Sequence, residues 1–411
     1  MLEAFLIQRA GLHMLIAQPQ LTGLQVDPVH REPRSLPVSE KRSKSGLLPR
    51  QRICAMLDHK MILATTEIDD TQLQPASLDL RLGSRAYRIR ASFLPGPDKR
   101  VSDQLAELKY DEIKLDDGAV LEKGCVYLVE LQEHLRLPDS IAAVANPKSS
   151  TGRLDVFTRL ISNSSEVFDN VKAGYEGPLF AEISPRSFSI KVRKGSKLNQ
   201  IRFRRLNSQH EEHSVFHVDD RLLRERHEQH PLVDGDLTLR HGLVLRVGLS
   251  NACAIEGIIG YRAQKFTDSI DVDRTGAYDV ADYWEPILAR NDNRLILDPH
   301  QFYILASSER LHIPPDLAAE MVPIDPTMGE FRVHYAGFFD PGFGYTEHGH
   351  PGSRAVLEVR SHEVPFILED RQIIGRLVFE RLSEVPDILY GQTQASNYQG
   401  QGLKLSKHFR G

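Results

Sequence analysis

Short segments in which apolar side chains recur at every second position dominate the chain. "CVYLVEL" (125–131), "SFSIKVR" (187–193), "QFYILAS" (301–307) and "RQIIGRLVFERL" (371–382) are rich in β-branched and aromatic residues, and Gly, Pro and Asp turns separate them. This pattern predicts strands. Sustained helical periodicity is confined to "PRQRICAMLDH" (49–59), which reads as one amphipathic helix.

The strand pattern also repeats. "LEKGCVYLVELQEHLRLP" (121–138) lies over "LDPHQFYILASSERLHIP" (297–314) without gaps, pairing Leu121 with Leu297, Tyr127 with Tyr303, Glu133 with Glu309 and Pro138 with Pro314, an offset of 176 residues. Glu182 and Glu358 stand at the same spacing, as do "FRRL" from Phe203 and "FERL" from Phe379. One offset held over so long a run points to an internal duplication. The expected organisation is a flexible extension over 1–45, a first β-rich copy over 46–206, a charged connector over 207–236, a second copy over 237–388 and a tail over 389–411. The connector, with its "HEEH" and "HEQH", reads as a solvated link carrying at most a short helix. Neither tetrad has the spacing or the apolar helix context of a zinc-binding H-E-x-x-H.

Composition narrows the function classes. Hydrophobic residues are 41% of 411, enough for sizeable cores, and 51 Lys+Arg nearly balance 56 Asp+Glu, so no global basic field points to nucleic acid or an anionic membrane. Any polyanion must be held locally. Three scattered cysteines without a CxxC argue against a disulfide framework and a thiolate zinc site, and fit a reducing cytoplasm. No apolar run approaches the roughly 18 to 20 residues of a membrane span, and Glu3 and Arg9 interrupt the start where a signal peptide would be apolar.

Three stretches carry candidate chemistry. "NPKSSTGR" (146–153) sets Lys148, Ser149, Ser150 and Arg153 behind Pro147, a convergence of donors that suits phosphate oxygens or makes an ordinary polar turn; it lacks the glycines of a P-loop. The corresponding stretch of the second copy, "MVPIDPTMGEF" (321–331), has none of these four residues. "HYAGFFDPGFG" (334–344) holds Asp340 in an Asp-Pro-Gly turn between aromatics, as a ligand-facing carboxylate or a simple turn cap. Glu358 lies in the apolar strand "SRAVLEVR", where burial would raise its pKa toward a useful general base, although Arg354 and Arg360 leave a solvent-facing position open. The tail "YGQTQASNYQGQGLKLSKHF" (390–409) reads as polar and outside the core, either an arm closing over a ligand or a disordered end.

Taken together, "KSSTGR", "AGFFDPGFG", "SNYQGQ" and the early strand "QPASLDLRLG" (74–83) resemble the dCTP deaminase family and its dUTPase relatives, over about residues 47 to 405. The resemblance implies two tandem dUTPase-like distorted β-barrel domains, mainly β with a few short helices. It implies zinc-independent hydrolysis of dCTP to dUTP and ammonia, with Mg2+ bound through the triphosphate and no zinc. Carried over, Glu358 would be the general base. Lys148, Ser149, Ser150 and Arg153 would hold the triphosphate or the water. Ala336 would line the base pocket, Asp340 would meet the deoxyribose, Phe343 would pack nearby, and Tyr398, Gln399 and Gln401 would come from the closing tail; Glu182, in the first copy, is the counterpart of Glu358 and a candidate for a second site. Lys148 replaces an arginine of the family pattern, and Asn397 stands where the tail usually has lysine. Each pattern being present once suggests one composite site per chain, in a monomer or in the trimer usual for the family. Gly337 is closer to a dUTPase or bifunctional branch that would release dUMP and pyrophosphate, and a non-catalytic nucleotide-binding regulator is the remaining alternative.

Overall fold

The alternating segments form antiparallel strands in the computed structural model, which describes residues 45–207, 216–323, 331–333, 337–345, 351–361, 363–392 and 396–410. The expected extension, apart from residue 45, and the base-pocket residue Ala336 lie outside the described residues, as does most of 321–331. The architecture is mainly β. In the first half a ten-stranded sheet nearly closes on itself, running Val156–Ser162, Glu176–Pro185, Val126–Arg136, Leu78–Ile89, Lys197–Arg205, Ile141–Pro147 and Asn170–Val171. The second half splits the same neighbours over two sheets. Phe302–Leu311, Ser353–Ser361 and Phe331–Val333 adjoin in one, and Ile373–Arg381, Leu317–Pro323 and Phe338–Phe339 in the other.

The two halves share a pairing register. Tyr127 sits opposite Ile183 as Tyr303 sits opposite Val359, and Phe203 opposite Ala143 as Phe379 opposite Ala319. Even the buried polar groups agree. Tyr127 and Tyr303 accept through their hydroxyls from the backbone N–H of Glu122 (3.0 Å) and Asp298 (2.9 Å), and Glu133 and Glu309 accept from the backbone N–H of Arg81 (2.8 Å) and Arg246 (2.9 Å). Each bond satisfies a group that burial would otherwise leave costly.

The period-two signal is imperfect where strands are covered on both faces. In Val126–Arg136, Tyr127, Val129 and Leu131 enter the main core, while Leu128 packs on the other side with Ile89, Val101, Ile161 and Phe180. The residues between Ile89 and Lys114 provide that second cover, including the helix Val101–Leu108. The helix Arg50–Asp58 occurs where the periodicity places it and buries Ile53 and Met56. The helix Val101–Leu108 is an addition, too short for a periodic signal; Asp220–Gln229 is the short helix for which the connector left room, with six of its ten residues charged and Leu223 alone buried. The Asp219 side chain caps Asp220–Gln229 by accepting from Leu222 N–H at 2.8 Å.

An aromatic cluster binds the two halves and the tail into one core. Phe188 from the first half packs edge-on against Tyr283 and Trp284 of the second at 5.8 and 5.3 Å, and Phe409 packs on Tyr283 and Trp284 at 5.5 and 6.0 Å. Such pairs add about 0.5 to 1.5 kcal/mol each beyond their buried area. The tail is therefore no loose arm at its far end: Leu405 and Phe409 are core residues, set among polar residues that hid them in the sequence.

Candidate active site

The chain leaves the strand Ile141–Pro147 at Pro147 and turns at once through Ser149–Gly152. The turn is closed by Thr151 N–H and Gly152 N–H on Lys148 O (2.8 and 3.0 Å) and by Arg153 N–H on Ser149 O (3.1 Å). Lys148, Ser149, Ser150 and Arg153 consequently face one cavity. Opposite them, from the second half, the same cavity is lined by Gly337, Asp340, Phe343 and Glu358, and the tail adds Tyr398 and Gln401. Patterns that stand 184 (Arg153 to Gly337) to 253 (Lys148 to Gln401) residues apart thus line one cavity.

Ion pairs across the halves fix this approach. Arg360, two residues beyond Glu358 on its strand, reaches the buried carboxylate of Asp155, just past the phosphate-type turn. Arg354 donates Nη1 to Ser308 O at 3.0 Å and is 8% exposed. The two arginines that left a solvent-facing strand open therefore both turn inward, and Glu358 is only 5% exposed. Burial pushes its carboxyl up from 4.5 to about 8, with the nearby Arg153 guanidinium opposing. A carboxyl poised there can take a proton and return it near neutral pH.

Asp340 is held by a residue that the motifs did not flag. Arg202, fully buried in the first-half strand Lys197–Arg205, donates Nη2 to Asp340 Oδ1 at 2.9 Å and lays its guanidinium 4.0 Å from the centre of the Phe338 ring. Burial raises the Asp340 pKa and Arg202 counters it. The turn itself requires glycine: Gly342 has φ +94°, and a Cβ there would come within 2.8 Å of Leu389 Cβ. Phe343 packs on Phe339 and Tyr390 at 5.2 and 5.6 Å.

The tail closes the cavity through Arg153. Its Nη1 donates to Gln401 Oε1 at 3.1 Å and to Lys404 O at 2.9 Å, and its guanidinium lies 3.8 Å from the centre of the Tyr398 ring. Nε of Arg153 is buried with no hydrogen-bond partner, a donor suited to an incoming anion. Gln401 in turn donates Nε2 to Arg354 O at 2.9 Å.

Two of the expected residues lie elsewhere. Gln399 does not line the cavity; it braces the Asp-Pro-Gly turn, donating to Gly342 O at 3.0 Å and accepting from Gly344 N–H at 2.9 Å. Glu182, 1% exposed, is bound by Arg159 at 3.1 and 2.6 Å, and that arginine stacks 3.5 Å from the centre of the Phe168 ring. Both contacts are made by one carboxylate oxygen, Oε1, and Glu182 lies apart from the cavity that Glu358 lines. Lys148 lines the cavity, but its ammonium is paired with Asp79 of the early strand. Sequence reasoning missed Asp79, Arg202 and Tyr390. Asp79 and Tyr390 lay inside stretches already singled out, "QPASLDLRLG" and the tail from residue 390; Arg202 did not.

Comparison with known proteins gives the family. Residues 44–207 match the N-terminal domain and 219–409 the C-terminal domain of 2'-deoxycytidine 5'-triphosphate deaminase. A dCTP deaminase, dUMP-forming, from Sulfurihydrogenibium sp. (strain YO3AOP1) is 30% identical over 153 residues, 36% of this chain and 79% of the relative. One from Nanoarchaeum equitans (strain Kin4-M) is 31% identical over 175 residues, 39% of this chain and 85% of the relative. The crystal structure of 2'-deoxycytidine 5'-triphosphate deaminase from Agrobacterium tumefaciens superposes with a TM-score of 0.78 at 51% identity, covering 84% of this chain and 99% of that one. With both domains matched and a half-identical structure spanning nearly all of its own length, the chain belongs to the dCTP deaminase family.

Proposed function

We propose that this cavity hydrolyses the C4 amino group of dCTP, releasing dUTP and ammonia. The observation that carries the reading is the buried carboxyl of Glu358 facing the Ser149–Arg153 turn across one cavity. Glu358 takes a proton from water as the water oxygen bonds to C4 of cytosine. Glu358 passes that proton to N3 as the C4=N3 double bond opens; the proton left on the new C4 hydroxyl is then carried to N4, the C4–N4 bond breaks, ammonia leaves, and a C4 carbonyl beside N3–H remains. Base assistance of this kind contributes about 10²- to 10⁴-fold. Ser149, Ser150 and the unpartnered Nε of Arg153 serve the phosphates or the water, and Asp340, held by Arg202, receives the sugar hydroxyl. Among the described residues no group of three or more His, Cys, Asp or Glu side chains is placed to hold a metal. Magnesium would enter on the triphosphate itself, where it would neutralise phosphate charge.

A second reading is favoured by the names of the relatives, which are described as dUMP-forming, and by a second carboxylate, Asp340, in the same cavity. In it Asp340 directs water at the α-phosphate, and dUMP and pyrophosphate leave. Incubation with dCTP and magnesium, resolving dUTP from dUMP and following ammonia, tests both. Ammonia with accumulating dUTP supports the first reading, pyrophosphate with dUMP the second, and no ammonia overturns both.

A further inference from the structure

Both cations that line the cavity among the described residues, Lys148 and Arg153, are already engaged. The ammonium of Lys148 is paired with Asp79, itself 2% exposed, and Arg153 has committed Nη1 to the tail and its face to Tyr398. Asn397, which lines the cavity beside Tyr398, adds no charge. A triphosphate is a polyanion, and charge-assisted donors are what hold it. Seven residues on, the chain brings a cation back to this point: Lys404 donates Nζ to Asn397 O at 3.1 Å and stands 6.0 Å from the centre of the Tyr398 ring, the ring that Arg153 covers.

We infer that Lys404 supplies, through space, the polyphosphate-binding cation that position 397 lacks. The inference rests on the proposed function and adds a residue to its site. The main chain around Lys404 is fixed to the first half on two sides. Lys404 O accepts from Arg153, and Ser406 Oγ donates to Ser150 O at 2.8 Å. The Lys404 side chain is exposed, so its ammonium is free to exchange a neutral carbonyl for a phosphate oxygen, which binds an ammonium more strongly.

The test is titration of the full chain with inorganic tripolyphosphate, together with dCTP kinetics, for the unaltered protein, Lys404→Met and Lys404→Met/Asn397→Lys. Lys404→Met should weaken tripolyphosphate binding and raise KM for dCTP about tenfold, leave kcat within about twofold, and leave inhibition by deoxycytidine unchanged. Asn397→Lys on that background should restore most of the loss, because a lysine at 397 delivers the same charge by its own side chain. Unchanged affinity in Lys404→Met, or a loss that Asn397→Lys does not repair, overturns the inference. Dependence of tripolyphosphate binding on Lys404 in a protein that fails to deaminate dCTP would support it while overturning the functional reading.

Discussion

Replacing Glu358 by glutamine should abolish the reaction and stabilise the protein. The side chain keeps its size, so packing around the 5%-exposed carboxyl changes little. What changes is ionisation. Burial moves the carboxyl from 4.5 to about 8, and at 1.36 kcal/mol per tenfold in the protonation equilibrium, ionising it in the folded chain costs about 5 kcal/mol more than in the unfolded one. At pH 7 the folded protein holds this proton and the unfolded chain does not, a penalty of about 3 kcal/mol that glutamine removes. Because the folded state binds more protons between 4.5 and 8, the contribution of Glu358 makes stability fall as pH rises through that window. Denaturation followed at pH 6.5, 7.25 and 8 should show the unaltered protein losing stability and Glu358→Gln losing less, with Tm at pH 7 raised by roughly 5 °C. Turnover of dCTP should drop at least about 10²-fold. A variant that keeps a tenth of the activity, or that is less stable than the unaltered protein at pH 7.5, refutes the reasoning.

Other outcomes follow from the same contacts. The rate at low dCTP should climb with pH through a midpoint near 8 and level off only above it, as the free enzyme's Glu358 ionises, and a pH–kcat/KM profile flat from 6 to 8 would contradict this. His408, buried between Ser406 Oγ and Val272 O and held down to about 4, binds its proton more readily when unfolded, so its contribution is full above 6.5 and is lost toward 4. Acid titration of His408→Gln should therefore show a weaker loss of stability over that window. Tyr398→Ala removes the ring under Arg153, worth about 0.5 to 2 kcal/mol, and should raise KM for dCTP by roughly 2- to 30-fold, read from initial rates. Gly342→Ala forces a Cβ to 2.8 Å from Leu389 at φ +94° and should lower Tm and dCTP affinity together, measured by calorimetry and titration.

How much of this was legible depended on whether the cause was local. Strand alternation, the 176-residue repeat and the turn chemistry of Pro147 and Asp340-Pro341-Gly342 lie within a few residues of one another, and the sequence shows them directly. The register shared by the two halves supports the reading of a duplicated unit. Partners contributed from across the fold were hidden. Nothing near Arg360 in the sequence announces Asp155, 205 residues away, and nothing near Asp340 announces Arg202, 138 residues away. The same reason hid Arg159, the partner of Glu182 from the adjacent strand, and disguised Phe409, whose ring partners Tyr278, Tyr283 and Trp284 lie more than 120 residues away in the second half. That residues 321–331 carry no counterpart of Lys148, Ser149, Ser150 or Arg153 makes sense once both halves line a common cavity that needs the set only once.

The central claim is that Glu358 and the Ser149–Arg153 turn act on one nucleotide. The most direct measurement is a single-turnover incubation of the purified chain with dCTP and magnesium, with ammonia and nucleotide products quantified for the unaltered protein, Glu358→Gln and Arg153→Ala. Stoichiometric ammonia from the unaltered protein is predicted, with dCTP bound but intact on Glu358→Gln and weakly bound on Arg153→Ala. Ammonia release that survives either substitution at an undiminished rate would contradict the account.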